Sequence, residues 1–274
     1  MTKELLEVAT QIALEAGDLV ALRREGGVSV ASTKSTSVDI VTAVDQESEQ
    51  LIFSKLEELR PGDGFLGEEG QTSPSETGLT WVVDPIDGTV NFFYGIPHYA
   101  VSIAVVSGLP IPGQWQVEAG VVYNPATKEL YRASRGGGAF LGERALKIPE
   151  PPPLEQALLA TGFAYSAAMR SEQSRVMHEV LPKVRDIRRM GTASLDLAFI
   201  AAGRLDVFYE RTLNPWDHAA GELLVTEAGG VIEGIPGLPP GREALYAGHP
   251  ALVDQVRALV STLGGDRLLR DIPM

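Results

Sequence analysis

The chain has 274 residues, 44% of them hydrophobic, no cysteine, and a formal net charge of −13. That is enough apolar material for one large domain or two closely packed halves, and the absence of thiols excludes disulfides and cysteine-ligated zinc. No apolar run approaches a membrane span, and an acidic chain without a basic stripe argues against a nucleic-acid partner.

In chain order, Leu5, Leu6, Val8, Ala9, Ile12, Ala13 and Ala16 recur at helical spacing, with Gly17 interrupting but not ending the pattern. This opening carries acids and is not a secretion signal, so a cytoplasmic protein is expected. Thr42 is placed to cap a helix through Leu51, Ile52, Leu56 and Leu59, stopped by Pro61-Gly62. Phe65-Leu66, Thr80 to Val83 and Tyr99 to Ser107 read as strands, and Val117 to Tyr123 with Glu129 to Ala133 as a hairpin. Gly136-Gly137-Gly138 reads as a turn, since no helical pattern opens after it. Pro149 to Pro153 is a stiff connector and the best internal boundary, dividing the chain into residues 1–148 and 149–274 of one catalytic unit. Beyond it come a strand at Leu158 to Thr161, helices at Ser171 to Val184 and Ser194 to Ala202, and a strand at Leu205 to Tyr209. A helix opened by Pro215 runs to about Glu227, followed by strands at Val231-Ile232 and Ala244 to Ala247 and a helix at Pro250 to Leu263. The mixture predicts a layered α/β (α+β) sandwich of αβαβα type.

The chemistry concentrates in Trp81-Val82-Val83-Asp84-Pro85-Ile86-Asp87-Gly88-Thr89. A buried apolar strand ends in two carboxylates, a carbonyl, free N–H groups and a hydroxyl. Hard divalent cations take oxygen ligands of this kind, and phosphate takes free N–H groups at a helix start. Two further acidic clusters, Gly67-Glu68-Glu69-Gly70 and Trp216-Asp217-His218-Ala219-Ala220-Gly221-Glu222, bring more carboxylates. Glu68, Asp84, Asp87 and Asp217 would repel one another unless cations were gathered with them. An oxygen-only set suits magnesium, with manganese possible, better than zinc. The histidines at 98, 178, 218 and 249 show no metal spacing and read as structural or solvated.

WVVDPIDGTVNF and WDHAAGELLVTEAGG, in that order, resemble the inositol monophosphatase family of magnesium-dependent, lithium-sensitive phosphatases. Further matches are Lys34, Asp39 to Asp45, GEE at Gly67 to Glu69, and GTASLDLAFIAAGRLDVFYE at Gly191 to Glu210. The resemblance runs from about Leu5 to about Leu263 and implies the same αβαβα fold. It implies two to three magnesium ions: a first at Glu68, Asp84, the Ile86 carbonyl and Thr89, a second at Asp84, Asp87 and Asp217, and a weaker third at Glu68. It makes Thr89, hydrogen-bonded to Asp45, the group that orients the attacking water together with Glu68. Substrate contacts would come from Asp87, Gly88, Thr89, Gly191, Thr192, Ala193 and Glu210, with Glu210 accepting from ring hydroxyls. Arg211 is expected to assist a second anionic group, Lys34 to stabilise the metal loop, and Glu69 to be a solvated or supporting acid. A homodimer is implied by resemblance alone.

The implied activity is hydrolysis of inositol monophosphate, a small-molecule phosphate ester, by metal-activated water. Fructose-1,6-bisphosphatase, alone or as a dual activity, and histidinol-phosphate phosphatase share the same core. Val90-Asn91-Phe92 disfavours an adenosine bisphosphate phosphatase. A non-catalytic metal-binding relative is the alternative from a different class.

Overall fold

The computed structural model describes residues 2–28, 30–34 and 40–272, with the side chain of Ala31 left aside; Asp39, one of the family matches, lies outside the described residues. Helix α1 (Thr2–Glu25) buries Leu5, Ala9, Ile12, Ala13, Ala16 and Val20 along one stripe. A short antiparallel pair, β1 (Val30–Thr33) and β2 (Ile40–Thr42), leads into α2 (Ala43–Leu59). Thr42 caps α2: its hydroxyl accepts from the Val44 N–H at 3.2 Å, and Asp45 accepts from the Thr42 N–H at 2.9 Å. The helix ends before Pro61, which disfavours helical backbone in the residue preceding it.

Next come β3 (Gly64–Gly67), β4 (Thr72–Ser73), β5 (Leu79–Asp87), the single-turn α3 (Thr89–Tyr94), β6 (Ala100–Gly108), β7 (Trp115–Asn124), β8 (Glu129–Ser134), β9 (Gly138–Leu141) and β10 (Arg144–Ala145). They form an eight-stranded sheet in the order β10-β9-β8-β7-β6-β5-β3-β4, antiparallel except where β3 meets β5. Residues 146–153 are irregular. After them lie β11 (Leu158–Ala160), α4 (Ala167–Val180), β12 (Asp186–Arg188), α5 (Ala193–Ala201), β13 (Val207–Glu210), α6 (Pro215–Glu227), β14 (Val231–Glu233), β15 (Leu245–Gly248) and α7 (Pro250–Thr262). These strands form a second sheet in the order β12-β11-β13-β15-β14.

Five layers follow. The pair α1 and α2 covers one face of the large sheet, and α5 and α6 pack between the two sheets. The outer face of the small sheet is covered by α7, against which α4 packs. Because both faces of β5 and β6 are covered, these strands read as continuous apolar runs, yet the pleat still sorts them. Trp81, Val83, Val101, Ile103 and Val105 face α1 and α2, whereas Val82, Ala100, Ala104 and Val106 join the core shared with α5, α6 and the small sheet. No described helix is long and apolar enough to cross a membrane.

Four differences from the sequence reading have local causes. Strand β5 runs on to Asp87, because the residues after Val83 remain paired with β6. Helix α4 starts at Ala167, capped by Ser166, rather than at Ser171. It gives way to a 3-10 turn at Leu181–Lys183, where Pro182 cannot donate to the helical ladder. The strands of two to four residues at β1, β2, β4, β9, β10 and β12 are too short to show a period.

Candidate active site

The site is built on an irregularity in β5. Asp84 pairs with Ser102 and Asp87 with Ala100, so three steps on β5 match two on β6. In a regular strand, residues three apart point to opposite faces. The extra residue in this bulge resets the parity, and both aspartates line the same pocket. Ile86 buries its side chain in the core beneath, which leaves its carbonyl directed toward the turn, where Thr89 Oγ1 lies 3.0 Å away. Gly88 follows at φ +90°, and a Cβ there would come within 2.4 Å of Thr192 Oγ1. Only glycine meets both demands.

Thr89 Oγ1 lies 3.0 Å from both Asp45 Oδ1 and the Ile86 carbonyl, and has one proton to give. Asp45 is fully buried. Its other oxygen takes the Thr42 N–H at 2.9 Å and the Thr42 hydroxyl at 2.5 Å. Burial raises the Asp45 pKa against the pull of these hydrogen bonds. A proton donated to Asp45 leaves the lone pairs of Thr89 free to accept from a water in the pocket.

Glu68 sits in the turn after β3, its N–H donating to the Val83 carbonyl at 3.1 Å. Lys34 Nζ lies 2.8 Å from Glu68 and 2.7 Å from Glu69. Burial opposes the charge on Lys34, but the two carboxylates prevail and raise its pKa. Glu69 is nearly covered rather than solvated, and burial pushes its pKa up to about 7 despite the lysine. Asp87 Oδ2 accepts the Ser194 N–H at the start of α5 at 2.7 Å. Burial raises the Asp87 pKa to about 7, opposed by Ser194 and reinforced by Glu68. Asp217 Oδ2 accepts the Asn214 N–H at 2.6 Å and caps α6, and its second oxygen takes no hydrogen bond among the described residues. Asp84 and Asp217 are both pushed well above the usual carboxylate range, first by burial and then by the charges of Glu68 and Asp87. Glu210, at the end of β13, is raised to about 8 by burial, with Arg189 opposing.

Glu68, Asp84, Ile86, Asp87, Gly88, Thr89, Gly191, Thr192, Ala193, Glu210 and Asp217 all line one pocket of about 520 Å³. Asp45 stands behind Thr89 and outside the lining. Asn91, not among the expected site residues, stitches the wall by donating to the His98 carbonyl at 2.8 Å and the Met190 carbonyl at 2.7 Å. Arg189, Arg242 and the 162–166 segment also line the pocket and had no distinguishing sequence signal. Arg211 does not line it. Its buried guanidinium donates to the carbonyls of Glu243 and Arg267, so it is a structural cation and not a substrate group. The histidines stay apart from the pocket lining: His218 is fully buried, held down to about 4 by that burial, and His249 caps α7.

No group of three or more His, Cys, Asp or Glu side chains among the described residues is gathered tightly enough to hold an ion as it stands. The donor chemistry nonetheless fits a hard cation. Asp84 and Asp87, both buried, and Glu68 and Asp217, both partly buried, share one pocket with a carbonyl and a hydroxyl and no histidine; beyond burial, the charges of Glu68 and Asp87 push Asp84 and Asp217 up, a repulsion that a cation would relieve.

The model of the inositol monophosphatase family matches residues 1–262. Inositol-1-monophosphatase SuhB of Mycobacterium tuberculosis is 42% identical over 95% of this chain and 94% of its own length. A solved structure of Mycobacterium tuberculosis SuhB aligns at a TM-score of 0.81 and 40% identity, covering 97% of this chain and 98% of the other. The structure of inositol monophosphate-bound SaIMPase-II aligns at a TM-score of 0.76 and 27% identity, covering 93% and 92%. The Escherichia coli protein named Nus factor SuhB is 38% identical over 97% of this chain and 99% of its length. With a family match over residues 1–262 and a layered fold shared with solved members, this chain belongs to the inositol monophosphatase family.

Proposed function

We propose that this chain is a magnesium-dependent phosphomonoesterase that hydrolyses inositol monophosphate. The observation that carries the reading is the convergence of Asp84, Asp87, Glu68 and Asp217 on the pocket that also holds Thr89 and Glu210. Magnesium, held by Glu68, Asp84, the Ile86 carbonyl, Thr89, Asp87 and Asp217, would neutralise the phosphate and lower the pKa of the attacking water. Thr89, its proton committed to Asp45, orients that water with Glu68. The N–H groups of Gly88 and Thr89 receive phosphate oxygens. Glu210 accepts from ring hydroxyls, while Gly191, Thr192 and Ala193 form the wall beside the polyol.

A non-catalytic role would leave four mutually repelling carboxylates gathered in one pocket without a purpose. Manganese substitution, lithium inhibition, a homodimer and a cytoplasmic location are proposed on family resemblance. A second reading, a sugar bisphosphatase, is favoured by one observation: the guanidinium groups of Arg189 and Arg242 line the same pocket and could meet a second phosphate.

The test is phosphate release from inositol 1-phosphate and fructose 1,6-bisphosphate in parallel, with magnesium and with EDTA. Preference for the inositol ester supports the main reading. Greater turnover of the bisphosphate shifts the assignment to the second, and EDTA-insensitive turnover rejects the metal role.

A further inference from the structure

Glu49 lies on α2, one helical turn after Asp45, and is 3% exposed. It has no ion-pair partner among the described residues, and burial raises its pKa. A buried carboxylate in that position is costly unless its oxygens are engaged. Both are engaged by the backbone of the Glu68 turn: Oε2 accepts the Glu69 N–H at 2.8 Å, and Oε1 accepts the Gln71 N–H at 3.1 Å. The turn is closed from inside by the Gly67 N–H donating to the Gln71 carbonyl at 2.9 Å. Gly67 leaves room for the carboxylate, since a Cβ there would come 2.2 Å from Glu49 Oε2.

Residues four apart share a helix face, so the face of α2 that grips Thr89 through Asp45 also grips the Glu68 turn through Glu49. The helix thereby fixes the spacing between the hydroxyl and the carboxylate that the reaction needs together. We propose that Glu49 is a positioning residue that holds the Glu68 turn in place for metal binding. This rests on the reading of Glu68 as a metal ligand.

The test compares wild type with Glu49→Gln, which keeps the shape but presents one acceptor oxygen instead of two, and with Glu58→Gln, an exposed control on the same helix. Metal affinity is read by manganese titration under electron paramagnetic resonance and by the magnesium dependence of turnover. Amide exchange at residues 69 and 71 is read in metal-free protein. For Glu49→Gln, manganese affinity and the magnesium half-saturation point should each worsen about tenfold, the worth of one lost hydrogen bond to a charged group. Exchange at one of the two amides should quicken, and substrate KM at saturating magnesium should stay within about threefold. A lower melting temperature with unchanged manganese affinity would mean a merely structural carboxylate and would overturn the proposal. Unchanged amide exchange would overturn it too. Wild type that binds no manganese would instead reject the metal reading beneath it, while the exchange data still report the Glu49 contact. If Glu49→Gln fails to fold, Gly67→Ala strains the same contact from the other side and should show the same loss of metal affinity.

Discussion

Replacing Asp87 with asparagine should disable the enzyme and stabilise the metal-free protein. Burial raises the Asp87 pKa from the ordinary aspartate value of 3.8 to about 7. The folded state therefore holds this proton more tightly than the unfolded chain does. Its penalty is absent below the unfolded pKa and grows as the pH rises through about 7. At pH 8 the full gap of about three pH units corresponds to at most about 4 kcal/mol. Asparagine escapes that penalty and keeps an acceptor for the Ser194 N–H. That figure already includes the pull of Ser194 on the charge, but asparagine must bury an NH2 group where a carboxylate oxygen stood, which returns about 1–2 kcal/mol. The net gain of roughly 2–3 kcal/mol should raise Tm in EDTA by about 5–10 °C. Scanning calorimetry at pH 8 and pH 5 with EDTA measures this, and the advantage should shrink at the lower pH. With magnesium the order should reverse, as only the wild type gains ligand stabilisation. Turnover should fall by about three orders of magnitude, the scale of losing one charge-stabilising group. A lower Tm for the variant in EDTA at pH 8, or turnover within tenfold of wild type, would refute the reasoning.

Three other outcomes are expected. Thr89→Val should cut kcat by about 10²-fold with little change in KM, whereas Thr89→Ser should keep most activity, read by phosphate release at saturating magnesium. Glu210→Gln should raise KM for inositol 1-phosphate about tenfold and leave hydrolysis of an aryl phosphate nearly unchanged, because only the polyol meets this side chain. Arg211→Met should lower stability by about 3 kcal/mol, as two carbonyls lose a charged donor, without altering the inositol-to-bisphosphate preference; a changed preference would return Arg211 to the site.

What the sequence made legible was whatever is local. The apolar run into Asp84-Pro85-Ile86-Asp87-Gly88-Thr89, the cap at Thr42 and the proline opening α6 each carry their signal within a few residues. Resemblance supplied the long-range grouping of Glu68, Asp217 and Glu210. What stayed hidden depends on where distant segments meet. The bulge is defined only by pairing with β6. The value of Asn91 lies in carbonyls supplied by residues 98 and 190. Arg211 and Arg189 are alike as letters, and only the packing decides that one is sealed against carbonyls while the other lines the pocket.

Asp87 anchors the first turn of α5 and Asp217 the first turn of α6, and these two helices form the layer between the sheets. Two of the four carboxylates are thus also fasteners of the protein's middle. A change that abolishes ion binding by shortening or removing either side chain must loosen the packing between the two sheets as well. Drift at these positions is consequently constrained twice, and a lineage abandoning catalysis would keep an acceptor at both sites merely to stay assembled.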